Sequence, residues 1–585
     1  MKQSAAHRQL RLTAEAIAEQ HPLSPLIPLL KVQIETFAAA YVERRFYDDE
    51  NHLTRENLEY HPFTPKSRVR QAQVPSLFAQ RLSELYRNPA VIVSAMDSEV
   101  GGRVFNHMSS QVGAVDRVFI DSTYFKAGGS TEFITWFLVE MNVHLTRIAS
   151  SGVNPDLIVY EAIQALKAGP RSPRANAFFV TPLLRRMSYR FPKPAAIVLM
   201  ERHIDGVIET HFPEAHYAQP ADTIRNYPVG TNPAFPIVHA NREGQYNDLL
   251  VNMADELIMS RDALANDSPS EVQERLLPTL IGSRGQEGGM GPTKNRLVLM
   301  APGYANVAIG GVDGPYYVKA KTQSRPCNLV WLSMEAATSW VSSRMIGATM
   351  VISIDFKAYD ETLPQKLLVR AARRLAAQVR APFSVAEILE LLLDRPPVLL
   401  GVAKDEARGQ YLAYMVHIVS GIMSGIRPTN MLDSIFLRAF VNAVAELAKY
   451  ERSEYDAEVN GDDGFIILRG SVARAEHFLN LLFVLSKDLG MDIHPQKTVV
   501  ARGRGVGLYG QRLVTSDSST YPSTRAFSHH CFLERKKQMQ RKETALRKFA
   551  AADNCYGSPF FSLVTERIDF SEGEWAIMMG SDYVR

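Results

Sequence analysis

The chain has 585 residues, 46% of them apolar and 22% charged, and a formal net charge of +3. This is the composition of an ordinary soluble globular protein. It is too long for one simple core, so two or three subdomains are expected, and a charge this small requires any nucleic-acid surface to be concentrated locally. The three cysteines show no metal-ligand spacing and no disulfide framework, which points to a reducing compartment; with no uninterrupted run of about 18 apolar residues and no apolar signal core near the start, a secreted or membrane-spanning protein is not expected.

In chain order, residues 10–36 and 38–46 read as helices broken by the prolines of 22–28, and 47–75 as a polar, proline-containing arm. The Asp48-Asp49 pair in that arm has no apolar strand after it and reads as surface. Residues 131–148 and 156–167 read as helices, 198–216 as apolar strand character mixed with charge, 217–236 as loop and 247–265 as helix. No internal repeat or low-complexity tract occurs. Residues 282–296 hold five glycines and the cations Arg284, Lys294 and Arg296, and run into Leu297-Val-Leu-Met300: a mobile basic loop feeding a strand. It is not a Walker phosphate loop, because no Gly-Lys-Ser/Thr occurs in it.

Met350-Val-Ile-Ser-Ile354 reads as a buried strand ending at Asp355, with Asp360 five places on. Residues 364–379 form an amphipathic helix with arginines on its polar face. Ser424-Gly425 leads through Thr429-Asn430 into a long helix over 430–449. Ala457-Glu-Val459 and Phe465-Ile-Ile-Leu468 read as two strands joined by Asn460-Gly461-Asp462-Asp463-Gly464, a tight turn that exposes both aspartates. If the first strand lies beside this hairpin, three carboxylates converge. Such a cluster is unfavourable without cations, and its hard oxygen ligands suit two Mg2+ or Mn2+ ions, which about 3.5–4 Å apart activate an attacking hydroxyl and stabilise a leaving pyrophosphate.

Further on, Lys497 follows a short turn after His494-Pro-Gln, with His494 read as structural. Gly505-Val-Gly507-Leu-Tyr-Gly510 imitates a dinucleotide fingerprint, but strand and polar turn follow it, so a Rossmann unit is rejected. Its glycines are expected to let a hairpin make a close approach. Residues 502–548 are strongly basic and read as a rail for RNA phosphates.

As an ordered set, these segments resemble the motifs of viral RNA-dependent RNA polymerases over roughly residues 284–535. Within that group the chain is similar to the polymerases of small double-stranded RNA viruses, picobirnaviruses first and partitiviruses second. Asn460 before the Gly-Asp-Asp fits the former better. The resemblance implies an α+β right-hand fold of fingers, palm and thumb, with an antiparallel palm sheet backed by helices. It divides the chain into an N-terminal arm (1–90) bridging fingers and thumb, fingers (91–345), palm (346–514, with a fingers insertion about 380–415), and thumb with C-terminal tail (515–585). Asp355, Asp462 and Asp463 become metal ligands and Lys497 a general acid for pyrophosphate. Asp360 replaces the aromatic gate of reverse transcriptases and reads the ribose 2′-hydroxyl with Asn430, aided by Ser424, Gly425 and Thr429. Arg284, Lys294 and Arg296 line the triphosphate path. Gln511, Arg512, Arg525, Arg535 and Lys536 contact RNA. The implied partners are template and product RNA, NTPs and a viral capsid protein, with a monomeric enzyme in the virion interior and host cytoplasm. Tyr556, Phe560, Phe561, Trp575 and Tyr583 in the tail 550–585 are expected to support primer-independent initiation. A reverse transcriptase is disfavoured by Asp360, and a non-catalytic capsid-associated RNA-binding protein has no use for the carboxylates.

Overall fold

The structure, a computed structural model, describes residues 2–44, 91–96, 99–104, 106, 131–169, 180–188, 190–226, 234–237, 246–260, 268–285, 295–323, 326–405, 407–531 and 541–566. Among them run twelve strands: β1 (Val91–Met96), β2 (Thr279–Gly285), β3 (Asn295–Met300), β4 (Met350–Ile354), β5 (Pro397–Asp405), β6 (Gln410–His417), β7 (Tyr455–Asn460), β8 (Asp463–Leu468), β9 (Val499–Arg502), β10 (Val506–Tyr509), β11 (Arg512–Thr515) and β12 (Ser519–Thr520).

The central sheet has the order β7-β8-β4-β9 and is antiparallel throughout. Its strand β4 is buried at every position because both of its faces are covered. Side chains alternate across a strand. Met350, Ile352 and Ile354, with Ile466 and Leu468, enter one core under the helices Gln365–Gln378, Thr429–Leu447 and Val472–Asp488. Val351, Phe465 and Ile467 enter a second core, closed by β10, β11 and the helices Lys2–Gln20, Ile27–Arg44, Thr131–Ala149 and Pro155–Lys167. A separate five-stranded sheet, β1-β6-β5-β2-β3, gathers strands from three distant parts of the chain. The architecture is the expected α+β right hand with an antiparallel, helix-backed palm.

One element differs in type from its sequence reading. Pro194–His211 is a helix, not strand-like. Its apolar residues Ile197, Met200, Ile204, Val207 and Ile208 recur at helical spacing and are buried. The charges between them face the helix Gln365–Gln378: Lys366 meets Glu201 at 3.2 Å, Arg370 meets Asp205 at 2.5 Å and Arg374 meets Glu209 at 2.8 Å. Three cations of that second helix, Lys366, Arg370 and Arg374, are thus matched to acids of Pro194–His211.

The N-terminal helices reach the thumb through Pro155–Lys167, which Asn154 caps by accepting from the Asp156 N–H at 2.9 Å. Glu161 on this helix is fully buried and receives the N–H groups of Ser523 (2.7 Å) and Thr524 (2.9 Å) and both of their hydroxyls. It therefore satisfies the N-terminus of the thumb helix Ser523–Cys531 from a distant part of the chain. Burial pushes its carboxyl above the usual range, opposed by these four bonds. Glu161→Ala leaves two buried N–H groups without acceptors and should cost on the order of 3 kcal/mol in urea unfolding; a loss under about 0.5 kcal/mol would mean that the thumb is not anchored here.

Candidate active site

The β7–β8 hairpin pairs Asn460 with Asp463 across a two-residue turn. Gly461 occupies its first position at φ +62°, a left-handed conformation that a side chain would strain. Asp462 is exposed at the tip and Asp463 is partly buried. Ile354, the last residue of β4, lies opposite Gly464, so Asp355 emerges next to the paired acids. Its backbone is fixed on both sides: its N–H donates to Thr498 Oγ1 at 3.2 Å and its carbonyl accepts from His494 N at 2.7 Å. Burial first, then the Asp462 and Asp355 charges, push the Asp463 carboxyl up to about 7, against a hydrogen bond from the Gly510 N–H. The three acids therefore feel one another. Among the described residues, no group of three or more acid, imidazole or thiol side chains stands close enough together to hold a metal ion.

Asp360 lies in the short helix Tyr359–Thr362, whose Tyr359 hydroxyl donates to the Asp433 carbonyl at 3.0 Å. The loop before Thr429 is stitched onto it. Ile422 N donates to the Asp360 carbonyl at 2.8 Å and Ser420 Oγ to that of Glu361 at 3.0 Å, while buried Arg186 holds the Ile422 carbonyl at 2.7 Å. Asn306 ties the same loop to the fingers, donating to the Gly425 carbonyl at 2.9 Å and accepting from Arg427 N at 3.0 Å. Thr429 Oγ1 bonds the carbonyls of Met423 and Ile426, both at 2.7 Å, so its hydroxyl is committed to shaping the turn. Ser424 Oγ is buried and makes no hydrogen bond among the described residues. Asn430 is exposed and donates to Asn460 Oδ1 on the hairpin at 3.1 Å.

Beneath the hairpin lies a polar network with no sequence signal. Arg438 meets Glu458 at 3.2 Å, both essentially inaccessible, and also donates to the carbonyls of Cys327 and Ala457. Glu458 in turn accepts from Leu329 N at 2.6 Å, and Ser434 Oγ accepts from Gly461 N at 2.9 Å. A glutamate inside a strand and an arginine inside a helix each read as surface until the fold brings them together.

The remaining residues singled out by sequence are scattered. Lys497 follows the His494 turn and its charge helps hold the His494 imidazole below its usual pKa, after burial. Gln511 is exposed at φ +62° between β10 and β11. Arg512 is mostly buried, lying over the Tyr521 ring at 5.8 Å and facing Glu335 at 3.7 Å, and Arg525 donates to the Tyr521 hydroxyl at 3.1 Å. Arg284 and Arg296 stand directly opposite each other on β2 and β3. Lys294, Arg535, Lys536, the 47–75 arm, Trp575 and Tyr583 lie outside the described residues. Two members of the basic stretch are neutralised from afar, Arg502 by Glu476 and Arg504 by Asp156 at 2.6 Å. Gly507 packs on the palm: a side chain there would strike Phe465 and Ser353. In the tail, Phe560 is buried in the second core, whereas Tyr556 is exposed and meets Phe561 edge-on at 5.9 Å.

The Asp463 shift has a signed consequence. In the ion-free protein its carboxyl stays protonated to about pH 7, whereas the unfolded chain ionises near 3.8. Its contribution to stability is complete below the lower value and is lost as pH rises through the higher one. Binding of Mn2+ should therefore release a proton near pH 6 and tighten as pH rises to about 7, read by calorimetry in buffers of different ionisation enthalpy. Asp463→Asn should abolish the proton release; an unchanged release would place the titrating group elsewhere.

No protein-family model matches the chain. Over 246 residues, 39% of this chain, it is 24% identical to the RNA-directed RNA polymerase of Cryptosporidium parvum virus 1, and the match spans 42% of that protein's length, under half of it. The crystal structure of the RNA-dependent RNA polymerase of a human picobirnavirus superposes with a TM-score of 0.58 at 18% identity, covering 81% of this chain and 89% of that one. An insertion-loop deletion mutant of the same kind of polymerase gives 0.60 at 16% identity, covering 84% and 95%. By this likeness the chain has the fold of a picobirnavirus-like viral RNA-dependent RNA polymerase.

Proposed function

We propose that the chain copies an RNA template into RNA by nucleotidyl transfer, replicating and transcribing a viral, double-stranded RNA genome. What supports this reading most is that Ile354, which precedes Asp355, lies opposite Gly464 beside the Asp462-Asp463 turn, and that the Asp462 and Asp355 charges both act on Asp463. The donor set is all carboxylate and mutually repulsive, which suits hard divalent cations. Asp355 and Asp462, with Asp463 completing the set, would hold two Mg2+ or Mn2+ ions, which supply activation of a 3′-hydroxyl and neutralisation of the leaving pyrophosphate.

The chain's own residues do the rest. Asp360 and Asn430 read the ribose 2′-hydroxyl, the group that separates RNA from DNA, and the loop of Ser424, Gly425 and Thr429 seats the nucleotide. Arg284, Lys294 and Arg296 meet the triphosphate, where a guanidinium can hold phosphate oxygens bidentately. Lys497 gives a proton to pyrophosphate. Gln511, Arg512, Arg525, Arg535 and Lys536 serve RNA, though the burial of Arg512 limits it to holding the β10–β11 hairpin. The same reading includes a monomeric enzyme, a capsid partner and a place in the virion interior and host cytoplasm. Initiation without a primer falls to the tail 550–585, in which Tyr556 is exposed while Phe560 is committed to the core.

Asp355→Ala and Asp462→Ala should each reduce RNA synthesis by at least about a thousandfold while RNA binding and the thermal midpoint hold. Comparable synthesis in either variant removes the assignment. Truncation after Glu566 should lower primer-independent synthesis and spare extension of an annealed primer; a parallel fall of both activities would make the tail structural.

A further inference from the structure

The indole of Trp331 donates Nε1–H to Asn430 Oδ1 at 3.1 Å. An indole nitrogen can only donate, so the Asn430 amide is turned with its oxygen to the ring. Its NH2 then faces the hairpin, where it donates to Asn460 Oδ1 at 3.1 Å. That oxygen takes a second bond, from Asn328 Nδ2 at 2.8 Å. Asn328 is oriented in its turn, since its own oxygen accepts the backbone N–H of Val330 at 2.8 Å. Two donor-only groups, one at each end, thus set the sense of a three-asparagine chain. The indole is itself held edge-on by Phe212 and Tyr317, with ring centroids 6.1 and 5.1 Å away. Asn328 is fully buried while Asn430 is exposed, so the chain runs from the interior to the surface beside Asp462.

An amide bonded in this way keeps one N–H and one lone pair for a ligand. A ribose 2′-hydroxyl can accept from that N–H while donating to a carboxylate such as Asp360. We propose that Trp331 and Asn460 are positioning residues for sugar selection: they hold the Asn430 amide in the one orientation that meets the ribose as a donor, and they tie that contact to the hairpin bearing Asp462 and Asp463. The inference rests on the polymerase reading and adds residues to its selection step.

The test uses the full chain extending an RNA primer on an RNA template, with kcat and KM measured for NTP and dNTP. Trp331→Phe keeps an aromatic ring and removes the donor. The NTP-over-dNTP ratio of kcat/KM should fall about three- to tenfold, the range expected for one lost hydrogen bond. In an Asn430→Ala background, Trp331→Phe should change the ratio no further, because its effect passes through that amide. An unchanged ratio in the single variant, or an equal further fall in the double variant, overturns the proposal. Should the phenylalanine lower the thermal midpoint, 3-benzothienylalanine at position 331 supplies the indole shape without its N–H and is judged by the same two outcomes. Absence of any RNA synthesis by the unaltered chain would overturn the polymerase reading, and this inference with it.

Discussion

The β7–β8 hairpin that bears Asp462 and Asp463 rests on a buried ion pair. Arg438, from the long helix after Asn430, reaches Glu458 on β7 with both side chains almost wholly removed from water. Such a pair adds little net stability, because desolvation offsets the attraction, but removing either partner strands a buried charge at a cost of about 3–5 kcal/mol. Its value here is geometric. Arg438 also grips the carbonyls of Cys327 and Ala457, and Glu458 accepts the N–H of Leu329. One guanidinium and one carboxylate thereby lock the helix, the β7 strand and the segment carrying Asn328 and Trp331 into a single register.

From that register the active-site surface follows. Asn460 is two residues beyond Glu458 on the same strand, so fixing β7 fixes the turn at Gly461 and the outlook of Asp462. The neighbouring strand β8 pairs with β4, which delivers Asp355 to the same edge. The sheet is clamped between two cores rather than one, because the N-terminal helices cover the face that the palm helices leave open. Glu161 then carries this second core into the thumb. The two cores and the helix Ser523–Cys531 are connected by buried polar contacts at points where apolar packing alone would leave the register free to slip.

The sequence was most legible where chemistry and local geometry coincide. An apolar run ending in an acid, and a hairpin turn of Asn-Gly-Asp-Asp between β-forming strands, each have few alternative structures, so the strand β4 and the β7–β8 hairpin could be read directly. Long-range pairing could not. Residues 502–548 looked uncompensated because Glu476 and Asp156, the partners of Arg502 and Arg504, lie outside that window. The helix Pro194–His211 was misread because its acids, spaced to meet another helix, resembled the charged interruptions of a strand. Trp331 carried no signal, because its hydrogen bond to Asn430 exists only once the chain has folded. Gly507 was legible as a point of close approach but not as to what approaches, which is the palm itself.

On the reading proposed above, this palm joins ribonucleotides in an order dictated by an RNA template. The direct measurement supplies the purified chain with a single RNA template of defined, asymmetric sequence, all four NTPs and Mg2+ or Mn2+, and sequences the product. The account predicts an RNA strand complementary to the template along its length, formed from NTPs in preference to dNTPs. Products of DNA, untemplated tails alone, or no product with either cation would contradict it.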